Sequence, residues 1–134
     1  MSLEITVTHG GGKKVDAQVN GFTIHTDQPV RGGGEGSAPD PFTTFLSSLA
    51  ACAGIYVVGF CQTRSIPTDG IRLVQDHTFD PDTGKLAGID LRIELPASFP
   101  EKYRDSVVRA ASQCAVKRVL ENPPEMKVTT SVVG

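Results

Sequence analysis

The sequence predicts a single α+β domain over residues 1–134, with the element order βββ-α-ββ-α-β. Short segments that alternate apolar and polar side chains occur in both halves of the chain, as half-buried strands do. Between them lies a run without any charged residue, Phe42 to Phe60, and an amphipathic segment follows from about Pro100 to Glu121. A chain of 134 residues buries roughly two-thirds of its unfolded surface. The predicted domain therefore needs neither disulfides nor metal to fold.

The first three strands are predicted to form an antiparallel meander. Apolar and polar residues alternate over residues 3–7, 15–19 and 22–26, with a glycine cluster after the first segment. Asn20-Gly21 separates the second segment from the third. This dipeptide is a strong hairpin signal, because both central positions of the tight turn need a positive φ.

A long central helix is predicted to begin at Asp40-Pro41, where an N-cap acceptor precedes a proline at the first helical position. Apolar residues then recur at i, i+3, i+4 and i+7 as far as Phe60, and Pro67 ends the helix or its exit loop. The uncharged run is about as long as a membrane span. Its serines, threonines and glycines, and the ordinary strands around it, favour the buried central helix of a protein without a membrane partner.

The second half predicts two strands, a helix and a last strand. The strands cover Ile71–Phe79 and Ile89–Leu95, with a turn at Asp80–Gly84 between them. The helix is the amphipathic segment described above, and Asn122-Pro123-Pro124 stops it. The tail from Met126 to Val133 is predicted as the final strand.

The amino-acid composition excludes several classes of function for this chain. The chain has 13 Lys+Arg and 15 Asp+Glu, a net charge of −2, and the basic residues are scattered. This argues against a nucleic-acid partner, which needs a concentrated basic face. Three cysteines behind an N-terminus without an apolar leader predict a reducing, cytoplasmic setting. The spacings of cysteine and histidine match no metal-binding motif, and we expect neither a metal nor a cofactor.

The cysteines are the candidate chemical groups. Cys52 and Cys114 fall on the apolar lines of two different predicted helices. Each fits a small, buried core residue, and the two also fit a thiol pair formed where the helices cross. Cys61 follows Cys52 on the same helix, about 13 Å along its axis and on roughly the opposite side. Cys61 is therefore not the partner of Cys52, and packing or a surface position explains it better.

Two stretches resemble the OsmC/Ohr family. Pro39-Asp40-Pro41-Phe42 followed by Leu49-Ala50-Ala51-Cys52 resembles the motif around that family's first cysteine. Cys114-Ala115-Val116, in the second long helix, resembles the surroundings of its second cysteine. The resemblance covers nearly the whole chain. It implies an OsmC-like fold of antiparallel sheets around a long buried central helix, and an intertwined homodimer in which sheets from both chains wrap each central helix.

The resemblance also implies an activity. Family members of known activity are thiol-dependent peroxidases that act on organic hydroperoxides or hydrogen peroxide. By this resemblance Cys52 is the peroxidatic cysteine, Cys114 is the resolving cysteine, and a dithiol reductant restores the pair. The alternative function is a non-catalytic dimeric domain of the same fold that holds a small hydrophobic ligand.

Two positions depart from the family pattern. Phe42 stands where the peroxidases have a glutamate, and Gly12-Lys13-Lys14 stands in the hairpin that supplies their arginine. A reactive thiolate at neutral pH needs a nearby cation or hydrogen-bond donors. Arg31, in the glycine-rich loop before the central helix, is the candidate for this role, and the two hairpin lysines are the alternatives.

Overall fold

The structure is a computed structural model that describes residues 2–134. The chain divides into two compact units, one of residues up to Ser48 and one of Leu49–Gly134. The predicted α+β class, with antiparallel sheets and a long central helix, is confirmed. A single domain over the whole chain remains a prediction.

The first unit contains the predicted meander. Its strand order is β1-β2-β3, and both pairings are antiparallel. Val19 lies opposite Phe22, and the two residues between them have positive φ angles, 50° at Asn20 and 80° at Gly21. This is the tight turn that Asn-Gly favours. The strands are β1 (Thr6–His9), β2 (Val15–Val19) and β3 (Phe22–Thr26).

The central helix α1 covers Pro41–Thr63. The carbonyl oxygen of Asp40 accepts hydrogen bonds from the backbone N–H and the hydroxyl of Thr44, both at 3.0 Å. The helix therefore begins at its proline, as predicted. By length and composition α1 is able to cross a membrane. It is instead the core helix of this fold, with Val57 only 1% exposed, and no membrane protein is indicated.

The second unit builds its core against α1. Val57, Phe60 and Cys61 of the helix pack with Phe99 and Val107 in one buried apolar cluster. Apolar residues on the inner face of a two-stranded antiparallel sheet pack against this cluster. The turn between the two strands of this sheet is the predicted one. The Asp80 carboxylate accepts hydrogen bonds from the backbone N–H groups of Asp82 and Thr83. The other elements of this unit are β4 (Arg72–Phe79), β5 (Leu86–Glu94), α2 (Arg104–Ala111) and α3 (Ala115–Glu121).

The prediction of one continuous helix from about Pro100 to Glu121 was wrong. The segment starts with a 3-10 turn over Glu101–Tyr103, and α2 and α3 are separated by residues 112–114. Cys114 has an extended backbone, with φ −61° and ψ 143°, and it caps α3 as the N-cap residue. No proline or glycine lies at this break, and the apolar residues keep their helical spacing across it. The sequence pattern therefore did not predict the break.

The predicted final strand was also wrong. Residues 122–134 form no strand, and their apolar side chains are exposed, for example 85% at Met126 and 90% at Val128. A strand needs a neighbouring strand to satisfy its N–H and C=O groups. The sheets of the described residues contain only β1-β2-β3 and β4-β5, so the tail has no such neighbour. The observed order is therefore βββ-α-ββ-α-α.

Candidate functional site

Cys52 lies near the middle of α1 and carries a free, half-buried thiol. The residues one turn before and after it, Ser48 and Tyr56, are exposed. The helix from Pro41 to Thr63 contains no charged side chain. The thiol is therefore accessible in this chain, and any cation that activates it must come from outside its own helix.

Cys114 is the second predicted site residue, and it is nearly sealed from solvent at 1% exposure. Its thiol is free, and its sulfur accepts the backbone N–H of Lys117 at 3.3 Å. A side chain at the N-cap that accepts this N–H replaces one of the missing hydrogen bonds of the first helical turn. The Cys114 side chain thus holds the start of α3 in addition to carrying a thiol.

Cys61 is a packing residue. It is 0% exposed and belongs to the core cluster of the second unit. Burial raises the pKa of its thiol, and the positive charge of Arg64 opposes this rise only in part. The guanidinium carbon of Arg64 lies 3.7 Å from the centre of the Phe60 ring, so this cation is engaged in a cation–π contact. Of the two explanations for Cys61, the structure supports packing.

A cavity of about 360 Å³ lies beside Cys114 within the second unit. Its walls are mostly aliphatic, and within the described part of the chain Lys117 is the only charged residue that lines it. Gln75 adds an amide from the inner face of β4, with its Nε2 2.8 Å from Nε2 of His77. The residues that line the cavity are Leu49, Ala53, Gln75, Ile89, Leu91, Ile93, Leu95, Val108, Ala111, Ser112, Cys114, Lys117 and Leu120.

The cavity was not predicted from the sequence. It depends on how β4, β5 and three helices pack, and no local pattern encodes that arrangement. One signal was present: Gln75 interrupts the apolar face of a strand whose partner continues with Ile89, Leu91 and Ile93. A polar residue on an inward face is typical of a site that binds something.

The two candidate cysteines lie in the same unit, and both are reduced. Cys114 shares the cavity wall with Leu49 and Ala53, which are close neighbours of Cys52 along α1. Cys52 itself does not line the cavity. Their pairing as peroxidatic and resolving thiols remains a prediction.

Arg31 lies in the first unit, in a 3-10 turn over Val30–Gly32, and its side chain is exposed. Within the described residues 2–134, no ion pair or hydrogen bond engages its guanidinium. Its predicted action on Cys52 remains a prediction. Among the same residues, no group of three or more histidine, cysteine or acidic side chains is arranged to hold a metal ion.

The loop that carries Arg31 is organised around a buried carboxylate. Asp27 is 1% exposed and accepts hydrogen bonds from the Ser37 hydroxyl at 2.6 Å and from the Gln28 N–H at 2.7 Å. These bonds, the Ser37 hydroxyl first, lower the pKa of Asp27 to about 2. A side chain at Gly34 would meet the Gln28 carbonyl oxygen at 2.0 Å, so the loop path requires glycine there.

The hairpin lysines differ in their surroundings. Nζ of Lys14 lies 2.8 Å from the Glu35 carboxylate, and this partner raises the pKa of the lysine. The Lys13 side chain passes beside Gly33, and no ion pair engages it within residues 2–134. Lys13 and Arg31 are thus cations of the first unit without a carboxylate partner, whereas Lys14 has one.

One comparison with known proteins identifies a family, and another identifies the fold. The sequence profile of the family described as OsmC-like protein matches residues 34–129. A sequence comparison with curated proteins gives no match. Among solved structures, a Psychrobacter arcticus protein named for an osmotic stress induced and detoxification response has a TM-score of 0.73 at 22% identity, over 88% of this chain and 87% of that one.

Two further structures have the same fold. An OsmC like protein from Mycoplasma pneumoniae has a TM-score of 0.71 at 18% identity, over 92% of this chain and 89% of the other. An organic hydroperoxide resistance protein OsmC from Legionella pneumophila has a TM-score of 0.63 at 17% identity, over 91% and 90% of the two chains. At these identities the likeness shows the fold.

Proposed function

The chain belongs to the OsmC-like protein family, and on this premise we propose that it is a thiol peroxidase that reduces organic hydroperoxides or hydrogen peroxide. One observation carries the assignment of the thiols: of the three cysteines, Cys52 alone is not buried. A peroxide must reach the attacking sulfur, and Cys61 and Cys114 are closed to it in the resting chain. The structural relative from Legionella pneumophila, named for organic hydroperoxide resistance, supports the substrate class.

The proposed reaction has three steps. The Cys52 thiolate attacks the terminal oxygen of the hydroperoxide, the O–O bond breaks, and the departing alkoxide takes a proton from water to become an alcohol. Cys52 is then a sulfenic acid. The Cys114 thiol attacks its sulfur, water leaves, and a disulfide forms. A dithiol reductant, itself oxidised to a disulfide, returns both cysteines to thiols.

The first step needs a cation, because the attacking group is a thiolate and α1 supplies no charge to stabilise it. Arg31 is our first candidate, since no ion pair or hydrogen bond engages its guanidinium within residues 2–134. Lys13 is the second for the same reason. Lys14 is the weakest of the three, because its ammonium is already paired with Glu35.

We also propose that the protein is a homodimer. Only 33% of the most apolar stretch of α1 is buried within one chain. Phe42, Phe45, Ile55 and Tyr56 are large apolar side chains of this helix that are 37–63% exposed. Exposed apolar surface of this kind marks an interface, and a second copy of the chain would cover it.

The activity is tested with reduced protein and cumene hydroperoxide. With a dithiol present, we expect wild-type protein to turn over and Cys52→Ser to be inactive, because a serine hydroxyl does not ionise at neutral pH. Without a dithiol, Cys114→Ser should consume one equivalent to form the sulfenic acid, and at excess hydroperoxide it should consume a second as the sulfenic acid over-oxidises to the sulfinic acid. Cys61→Ala is the matched control and should keep the wild-type rate. No hydroperoxide consumption by the reduced wild-type protein would contradict the proposal.

A second candidate function is supported by the cavity, whose volume is typical of small-molecule sites. In this alternative the protein binds a small hydrophobic ligand and does no thiol chemistry. It predicts saturable binding together with three thiols that persist in the presence of hydroperoxide.

A further inference from the structure

The cavity of the second unit is lined by one charged residue, Lys117, and one thiol, Cys114, and the two residues are hydrogen-bonded to each other. Lys117 lines the cavity, and its own backbone N–H donates to the Cys114 sulfur at 3.3 Å. The rest of the wall is almost entirely aliphatic, apart from Gln75 and Ser112. The chemistry of the wall therefore fits a molecule with an apolar chain and an anionic or strongly hydrogen-bond-accepting end.

We propose that this cavity binds a single-chain anionic amphiphile, with its chain along the β4-β5 wall and its head at Lys117, and that the bound ligand keeps the Cys114 thiol in its sealed state. Among the described residues 2–134, no acidic side chain lines the cavity, so none of the described wall residues repels an anion. A helix or strand of another protein is too large for about 360 Å³, whereas one hydrocarbon chain is not.

The position of Cys114 explains why a ligand in the cavity affects the reactivity of its thiol. Cys114 is 1% exposed, and it stands at the junction between α2 and α3. Because its sulfur is sealed in this state, a reagent would reach it only through a displacement of α3, a helix of seven residues, from the wall. Leu120 and Lys117 of α3 both line the cavity, so a ligand that contacts them holds α3 in place.

The binding does not depend on the proposed peroxidase activity, but its consequence for turnover does. If Cys114 resolves the sulfenic acid of Cys52, a ligand that holds Cys114 in the wall slows disulfide formation. The sulfenic acid then survives longer and is over-oxidised more often. The amphiphile would act as an inhibitor of the resolving step.

The test uses the full chain with Cys52→Ser, sodium decanoate as the probe and methyl methanethiosulfonate as the thiol reagent. At a decanoate concentration ten times its Kd, we expect modification of Cys114 to slow about tenfold, because only the unliganded state opens. Octanoate should bind about tenfold more weakly, since it lacks two methylene groups. Peptide mapping separates Cys114 from Cys61.

The head-group assignment is tested by charge reversal. Lys117→Glu places an acid in the first turn of α3, where it favours the helix, so the variant is expected to fold. It should lose protection by decanoate and gain protection by decyltrimethylammonium. Lys127→Glu, in the exposed tail, is the matched control and should change neither.

Three results would overturn the inference: no decanoate binding, binding that leaves Cys114 equally reactive, or equal protection by decanoate in wild-type and Lys117→Glu protein. Failure of the proposed function has a different signature. In that case peroxide forms no sulfenic acid at Cys52, while the protection of Cys114 by decanoate is still observed.

Discussion

Replacing Cys61 should lower stability and leave thiol chemistry unchanged. The side chain is 0% exposed in an apolar cluster. Serine at this site buries a hydroxyl, which costs about 1–3 kcal/mol when it has no partner. The cost should lie at the low end, about 1–2 kcal/mol, because a helical serine donates to the carbonyl one turn earlier, here that of Val57. For a chain of this size we expect Tm to fall by about 4–8 °C.

Cys61→Ala separates the polar cost from the packing cost. Alanine removes the sulfur and leaves a small cavity, at about 1 kcal/mol. The pH dependence gives a second signature. The pKa of this thiol is raised by burial in the folded chain, so the wild type loses stability as the pH rises above the thiol's unfolded pKa, about 8.5. The alanine variant lacks that loss.

The assay is thermal unfolding at one fixed protein concentration, since assembly makes Tm concentration-dependent, alongside hydroperoxide consumption by each variant. Wild-type Tm in both Cys61 variants would refute the burial argument. Loss of hydroperoxide consumption in a folded Cys61→Ala protein would refute the assignment of roles among the thiols.

Three further outcomes are expected. Arg31→Ala should slow alkylation of Cys52 at neutral pH and shift its rate profile to higher pH, whereas Lys14→Gln should not; an unchanged profile for Arg31→Ala would remove that residue from the site. The pKa of the Asp27 carboxylate is lowered to about 2 in the folded chain. The stability that this carboxylate contributes is therefore present above about pH 4 and is lost as the pH falls towards 2. Thermal melts of Asp27→Asn should lack that part of the acid dependence. Light scattering should give the mass of two chains, and a monomer in dilute solution would contradict the dimer.

The sequence predicted the elements whose signals are local. Asn20-Gly21 and the turn after Asp80 specify hairpins through φ angles and short side-chain hydrogen bonds, and both form as expected. Asp40-Pro41 marks the start of α1, where a proline fits the first helical position and the Asp40 carbonyl oxygen accepts hydrogen bonds from Thr44. These features depend on neighbours within a few residues, so pattern and propensity were sufficient.

The two incorrect predictions involve interactions that a pattern does not contain. At the break over residues 112–114 the sulfur of Cys114 accepts the N–H of Lys117, which a continuous helix would bond to a backbone carbonyl instead. The tail at Met126–Val133 has the alternation of a strand, but a strand also needs a partner, and none lies beside it in the described chain.

The candidate site was predictable only in part. The apolar spacing correctly placed Cys52 in a helix, but it also placed Cys114 in one, whereas Cys114 is the extended N-cap residue of α3. The cavity beside Cys114 depends on side chains from five elements, and Lys117 joins it through tertiary packing alone. Its chemistry therefore became visible only in the structure.

The central claim is that Cys52 and Cys114 act as a redox pair, and counting thiols tests it most directly. Fully reduced wild-type protein is mixed with one equivalent of cumene hydroperoxide without a reductant, and the products are mapped by peptide mass. The account predicts the loss of two thiols per chain, a peptide that joins Cys52 to Cys114, and an unmodified Cys61. Three intact thiols per chain with the hydroperoxide unconsumed would contradict it.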